Sequence, residues 1–503
     1  MLDAFRRRPA ELHPFKSSAP IFAWMFPVVI LLLACIYGFS LTDGGGHLLA
    51  PVTNGFAFNS MATHMMRGRF DVDPEAITFE AFVRDGRTYA YFGPWVGLAR
   101  IPLAPFIDLA TTDLTQVFCL LTATAAAAFR LAALRLVWNL VPDSPLRNAL
   151  CPALGLALVL GGPALPFLKP SIYQEVIGWA DLWATAFVYV ALRGLLTPSG
   201  FTTRRLAVMA VLAGLALLTR VSTAIGLYAA LGFLTVALTR PASSDLKPGA
   251  YLASWGRRFL RPAPRWVLPA VGVLLGFAML IGFVNYERWG NPLVFADYHA
   301  YVLNQTIYLD RLPRLALYGE FNIRRIPYGL IYYFFPIWTI RTHDGFLLED
   351  PMRRLIEAVE LPPASFVSTD PLLLLLDGIF IGFLWRRRHA AAIPGFDLSK
   401  ATPLLAGFAI PPILMLMAMY MSLRYRMEFY PFFVFAALAG AIVLCATARK
   451  ITLFHRVAIA MLCLFGVVNA HSRLIAYRNS PFGPFQEAVE GPAAVDPAPN
   501  VSP

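Results

Sequence analysis

The chain has 503 residues, 58% of them hydrophobic and 14% charged, with a formal net charge of +12. Soluble domains carry about 25% charged residues, so this composition, with a mean hydropathy of +0.60, excludes an ordinary soluble protein. The basic residues cluster at the ends of apolar runs, where they set membrane orientation rather than bind nucleic acid.

In chain order, Arg6, Arg7, Arg8 and Lys16 precede an apolar run over 21–41. No small-residue cleavage site follows before Asp43, which predicts a retained first helix and not a removed signal peptide. Further apolar spans cover 113–139, 148–167, 176–196, 206–219, 222–239, 266–285, 370–386, 402–421, 428–447 and 454–471. At roughly 20 residues per crossing the pattern predicts an all-α polytopic membrane protein of about eleven helices. The short pair 206–219 and 222–239 reads as a broken hairpin turning at Thr219-Arg220-Val221-Ser222. With the N-terminus inside, alternation puts one set of basic segments on the cytoplasmic side. These are Arg6 to Lys16, Arg193 with Arg204 and Arg205, Arg240 to Arg265, Arg386 to Arg388, and Arg449-Lys450 with Arg456. The expected setting is a bacterial inner membrane. Residues 1–471 form one transmembrane domain, and the tail 472–503 lies on the periplasmic side, with a Pro-rich, disordered end from Gly491.

Two long segments, 42–112 and 286–369, fall on the outer side. Within them Pro94–Leu109 and Gly329–Trp338 are apolar but short, and read as interfacial helices. Cys35, Cys119, Cys151, Cys445 and Cys463 have no CxxC spacing and read as small apolar core residues. No repeat and no Gly-rich phosphate loop is visible.

Chemistry is expected where acids and arginines meet at the outer face. The first outer segment holds Asp43, Asp71, Asp73, Glu75, Glu80 and Asp85. Any of these could serve as a general base, and each also reads as a solvated loop charge. Asp43, beside Gly44-Gly45-Gly46 at the exit of the first helix, has the better case, because glycines admit close approach of a ligand. Tyr173-Gln174-Glu175 opens the fourth helix, Arg220 caps the broken hairpin, and Arg424 and Arg426 lie before the tenth. Outward arginines suit a phosphate or pyrophosphate, and equally lipid headgroups. Asp181 and Asp377 are intramembrane acids and hence functional candidates. For Asp377 a structural role with a buried polar partner is the expectation; for Asp181 both roles stay open.

Several stretches together resemble bacterial GT-C superfamily glycosyltransferases near the protein O-mannosyltransferase and aminoarabinose transferase branch. They are Met66-Arg67-Gly68-Arg69-Phe70-Asp71-Val72 and Gly86-Arg87-Thr88-Tyr89-Ala90-Tyr91-Phe92-Gly93-Pro94 in the first outer segment. Tyr173-Gln174-Glu175, Leu218-Thr219-Arg220-Val221-Ser222, Asn285-Tyr286-Glu287-Arg288-Trp289-Gly290-Asn291-Pro292 and Arg424-Tyr425-Arg426-Met427-Glu428-Phe429 follow in the same order. The resemblance covers about residues 20–450. It implies a GT-C-like bundle that moves a sugar from a polyprenyl-phosphate donor to a lipid, glycan or protein hydroxyl. It also implies an early outer-loop acid as base (Asp43, Asp71 or Asp73) and donor-phosphate or substrate contacts from Tyr173, Glu175, Arg220, Arg288, Arg424 and Arg426. Thr53-Asn54-Gly55-Phe56-Ala57-Phe58-Asn59 lacks the acid that many relatives carry there. Asp43 is then the favoured base, and a non-catalytic relative stays open. No cofactor is implied, and the scattered histidines point to no metal, although carboxylates could hold a divalent ion. The partners expected are the lipid-linked donor, membrane lipids and an acceptor. A flippase of lipid-linked sugars, which predicts inverted repeats and midplane polar residues, and an O-antigen ligase or polymerase are the alternatives.

Overall fold

The computed structural model describes residues 20–164, 169–238, 265–309, 311–335, 365–386, 395–448 and 452–479, with 341–342, 345–346, 355–356, 358–359 and 393. The basic segments Arg6–Lys16 and Arg240–Pro264, with Arg387, Arg388, Arg449, Lys450, Trp338 and the tail from 480, lie outside the described residues.

Among the described residues eleven long helices overlie the eleven expected spans. They are α1 (Pro20–Leu41), α2 (Thr115–Leu140), α3 (Pro145–Leu160), α4 (Ile172–Leu196), α5 (Thr203–Leu217) and α6 (Val221–Leu238). The rest are α7 (Leu268–Trp289), α8 (Pro371–Arg386), α9 (Leu398–Met417, broken at Ala409), α10 (Tyr430–Thr447) and α11 (Leu453–Asn479). Eight helices among the described residues are long and apolar enough to cross a membrane, and the chain is a multi-pass membrane protein. Backbone inside hydrocarbon must satisfy its own hydrogen bonds, which leaves helices as the spanning form here. Three boundaries differ from expectation. α7 runs on to Trp289, so Arg288 belongs to a helix end. α11 runs on to Asn479, beyond the expected tail boundary at 472. The Pro94–Leu109 stretch is broken into a turn over Trp95–Leu98 and a 3-10 turn over Ile101–Leu103, because Pro102 and Pro105 lack a backbone donor and disfavour helix in the preceding residue. The second short segment does form a helix, Ile326–Phe334.

One apolar core of interdigitated Leu, Ala, Val and Phe fills the bundle, and a second joins the first outer segment to the head of α4 through Phe58, Val96, Phe118, Ile172 and Trp179. Cys119, Cys151, Cys445 and Cys463 are buried, whereas Cys35 is exposed. Lipid offers no hydrophobic drive between helices, so close packing by small residues matters. Gly407 on α9 shows this: a Cβ there would lie 2.2 Å from the Ala230 nitrogen of α6. Inside the bundle Asp181 of α4 accepts from Arg130 of α2 at 2.6 and 2.5 Å, which gives it the structural role. Asp377 on α8 is buried with neither carboxyl oxygen hydrogen-bonded among the described residues, against the expectation of a polar partner.

Gly407→Val should separate α6 from α9 and destabilise the bundle by about 1–3 kcal/mol, read as a lower unfolding temperature of the detergent-purified protein.

Candidate functional site

The first outer segment folds before it can present anything. A buried helix, Ala57–Met66, carries Asn59, Ser60 and His64. A hairpin pairs β1 (Phe82–Arg84) with β2 (Arg87–Tyr89) across Asp85-Gly86, both with positive φ of 50° and 71°. Asp-Gly supplies those left-handed conformations readily. The second outer segment then zips onto β1: Val83 N–H donates to Ala300 O at 2.8 Å and Val302 N–H to Ala81 O at 3.0 Å. Tyr301 thereby stacks on Phe82, ring centroids 4.7 Å apart.

Between these segments lies Glu80, buried yet unpaired with any base among the described residues. Its Oε2 accepts the Tyr301 hydroxyl at 3.1 Å, and Tyr173 at the head of α4 lies close by. Thr78, two residues earlier, has φ of 49° and ψ of −119°, a conformation costly for a β-branched residue. Its hydroxyl donates to Asn54 Oδ1 at 2.7 Å, which holds the kink that turns Glu80 inward.

Around Glu80 stand half-buried tyrosines and two arginines. The Arg424 guanidinium lies over the Tyr173 ring at 4.1 Å, and Arg220 over the Tyr425 ring at 5.1 Å. Arg220 is aimed by Glu428, whose carboxylate accepts Arg220 Nε at 2.5 Å, Ser222 Oγ at 2.6 Å and Thr223 Oγ1 at 2.8 Å. Glu320 accepts the Tyr298 hydroxyl at 3.4 Å. Burial, with Glu80 or Glu320 nearby, pushes the phenols of Tyr91, Tyr298 and Tyr301 up, so all three are neutral hydrogen-bond donors. One end of the bundle therefore carries a buried carboxylate and two guanidiniums in one cluster of tyrosines. Such a site can take a proton from a hydroxyl and hold a phosphate.

Among the expected site residues, Tyr173, Arg220 and Arg424 come together here. Arg426 is buried behind them and donates to Thr369 Oγ1 and Asp370 Oδ2, both at 2.5 Å, and to the Tyr430 hydroxyl at 2.8 Å. Glu175 is fully buried, its two oxygens taken by Arg100 at 2.6 and 2.8 Å, so it braces the fold instead of facing a substrate. Arg288 is buried and donates to Phe92 O at 2.8 Å; among the described residues no carboxylate pairs with it. It staples the end of α7 to the first outer segment. Asp43 is exposed, with a positive φ of 50°, and pairs with Arg478 at the end of α11. Asp71 and Asp73 clamp His64, at 3.0 Å to Nδ1 and 3.2 Å to Nε2. Asp71 also pairs with Arg69, and Asp73 accepts Ser60 Oγ at 2.7 Å. Glu80 was no more than one of six loop acids in the sequence. Its neighbours are set by a backbone kink and by Tyr301, 221 residues away, and neither leaves a local signal. Among the described residues no cluster of three or more His, Cys, Asp or Glu is placed to hold a metal ion.

No protein-family model matches the chain, and no curated protein matches it. Among solved structures it is similar to the oligosaccharyltransferase of Archaeoglobus fulgidus tethered with an acceptor peptide containing the NVT sequon, at 15% identity and a TM-score of 0.46, covering 93% of this chain and 56% of that one. The apo form of that enzyme gives 14% identity, a TM-score of 0.46, and 92% and 57% coverage. The chain thus spans little more than half the length of these structures.

Two outcomes follow from the geometry. Glu175→Ala leaves Arg100 buried without its partner and should cost about 3–5 kcal/mol of stability, measured by thermal unfolding in detergent. Burial opposes ionisation of Asp71, but hydrogen bonds from Arg69 and His64 prevail and hold its carboxyl at about 2. A folded-state value below the unfolded one stabilises the fold above the ordinary aspartate range and is lost as pH falls through the folded value. Asp71→Asn should therefore remove about 1 kcal/mol at neutral pH, allowing for the half-exposed Arg69, and the gap to wild type should close as pH falls from about 4 towards 2.

Proposed function

We propose that this protein transfers a glycosyl group from a polyprenyl-phosphate-linked donor to a hydroxyl acceptor at the outer face of a bacterial inner membrane. The N-terminus is then cytoplasmic and the C-terminus periplasmic. The observation that carries the reading is Glu80, a buried carboxylate in the same cluster of tyrosines as Arg220 and Arg424 at one end of a membrane bundle. A polyprenyl donor keeps its tail in hydrocarbon and its phosphate at headgroup level, so its enzyme needs polar chemistry at a helix-bundle end, as here.

In this reading Glu80, in preference to Asp43, Asp71 or Asp73, is the base. Asp71 and Asp73 are occupied by His64, Arg69 and Ser60, and Asp43 by Arg478. Glu80 takes the acceptor hydroxyl proton as its oxygen attacks the anomeric carbon. The bond from that carbon to the phosphate oxygen breaks, and the electron pair leaves with the polyprenyl phosphate. Arg220 and Arg424 balance the charge that grows there. A single displacement inverts the anomeric centre and requires no metal. Tyr301 holds Glu80 in position, and it and Tyr173 offer ring faces to a sugar.

The test is turnover of polyprenyl-phosphate sugars by the purified full chain. Glu80→Gln should lower kcat by about 10²–10⁴ with donor binding retained, while Asp43→Asn stays close to wild type. Undiminished turnover in Glu80→Gln, or a collapse in Asp43→Asn alone, would move the base away from Glu80. Failure of folded wild type to bind any such donor would remove the transferase reading and favour a transporter.

A further inference from the structure

Asp377 stands apart from the outer-face site. It lies six residues into α8, about 9 Å from the helix start at 1.5 Å per residue, within a span whose flanks are apolar. Both carboxyl oxygens are buried without a hydrogen-bond partner among the described residues. The elements packed against α8 are α3, α10, α11 and the short turn Phe366–Thr369.

None of them brings a cation to Asp377. α10 carries no Asp, Glu, Lys, Arg or His; its titratable groups are Tyr430, bound to Arg426 at the outer end, and Cys445 near the inner end. α3 carries Arg147 in its first turn, paired with Asp143, and Cys151. α11 carries His455 and Arg456 in its first turn and Cys463 further in. At its outer end come His471, Arg473, Tyr477 and Arg478. Of these, Cys463 is hydrogen-bonded to Ala153 O, His455 to Thr452 and His471 to Val467 O. The turn carries no charged group. Asp370, just ahead of α8 and seven residues before Asp377, is the one described charged group near enough to act on it. It is itself an acid and is already paired with Arg426.

A carboxylate without counterion or hydrogen bond in hydrocarbon is many kcal/mol above the neutral acid, which removes the charge by taking up one proton. Beside it, a Cβ added at Gly378 or Gly382 would meet nothing within 4 Å, so the lipid-facing surface of α8 is thinned next to the carboxyl. We propose that Asp377 is a proton-binding site inside the bilayer, a carboxylic acid that stays neutral at pH 7 and is open to modification by a hydrophobic carbodiimide. In that reaction the acid O–H adds across one N=C bond of the reagent. Oxygen bonds to carbon and the proton goes to nitrogen, and the O-acylisourea then rearranges to a stable N-acylurea with no atom lost. This site is independent of the transferase reading.

The experiment uses the full chain in lipid vesicles. Infrared difference spectra of wild type against Asp377→Asn at pH 7 should show the carbonyl stretch of a neutral carboxylic acid, lost in the variant. Dicyclohexylcarbodiimide followed by peptide mass spectrometry should find the adduct on Asp377, at least about tenfold above Asp181, whose carboxyl is engaged by Arg130. A water-soluble cationic carbodiimide should leave Asp377 unmodified. Should Asp377→Asn not fold, the wild-type spectrum and the adduct map decide. Absence of a neutral-acid band from wild type at pH 7, or a band that survives in folded Asp377→Asn with no adduct at this position, would overturn the proposal.

Discussion

The end of the bundle that holds Glu80 depends on one buried ion pair. Arg100 comes from the first outer segment and Glu175 from the head of α4, and both side chains are wholly excluded from solvent. The guanidinium reaches two carboxylate oxygens, Asn59 Oδ1 and Val96 O, and it lies over the rings of Phe58 and Phe118. An unpaired charge at that depth would be prohibitive, so the pair permits only one docking of the segment onto the bundle. Tyr173 lies two residues before Glu175, and Glu80 and Tyr91 belong to the docked segment. Their meeting follows from that docking.

A second tier of constraints converts docking into a site. Arg288 holds the end of α7 to Phe92 O, Arg84 donates to Arg288 O at 3.2 Å, and an isolated antiparallel bridge joins Tyr301 to Phe82 of β1. Glu428 accepts from Arg220 Nε and is itself held by the hydroxyls of Ser222 and Thr223. Several arginines and acids that look like ligand contacts in the sequence are thus consumed in placing Glu80, Arg220 and Arg424. A charge removed from water near a membrane is retained by pairing, so most charges at this end of the bundle have protein partners.

The acids inside the bundle divide on the same physics. Asp181 has Arg130 opposite and Thr185 one turn away, and it behaves as a structural tie between α2 and α4. Asp377 faces apolar helices, and the neutral acid is the state such surroundings favour. Hydropathy reads both as interruptions of an apolar run. Only the identity of the residue across the interface separates them.

Helix number and placement were legible in the sequence because a span must be about 20 apolar residues and must close its own hydrogen bonds. That condition is local, and it recovered even the short α5 and α8. Tyr173, Arg220 and Arg424 were legible as polar groups at span ends on one side. What the sequence could not rank was the carboxylates. Asp43, with its glycines, looked open to a ligand but is held by Arg478; Asp71 and Asp73 are turned towards His64; Glu80 is selected by the Thr78 kink and by Tyr301. The charge-bearing residues are set by composition and span ends, whereas the partners of Arg220, Glu80 and Asp43 come from 208, 221 and 435 residues away, and partnership at that range is a property of tertiary contact that no local pattern records.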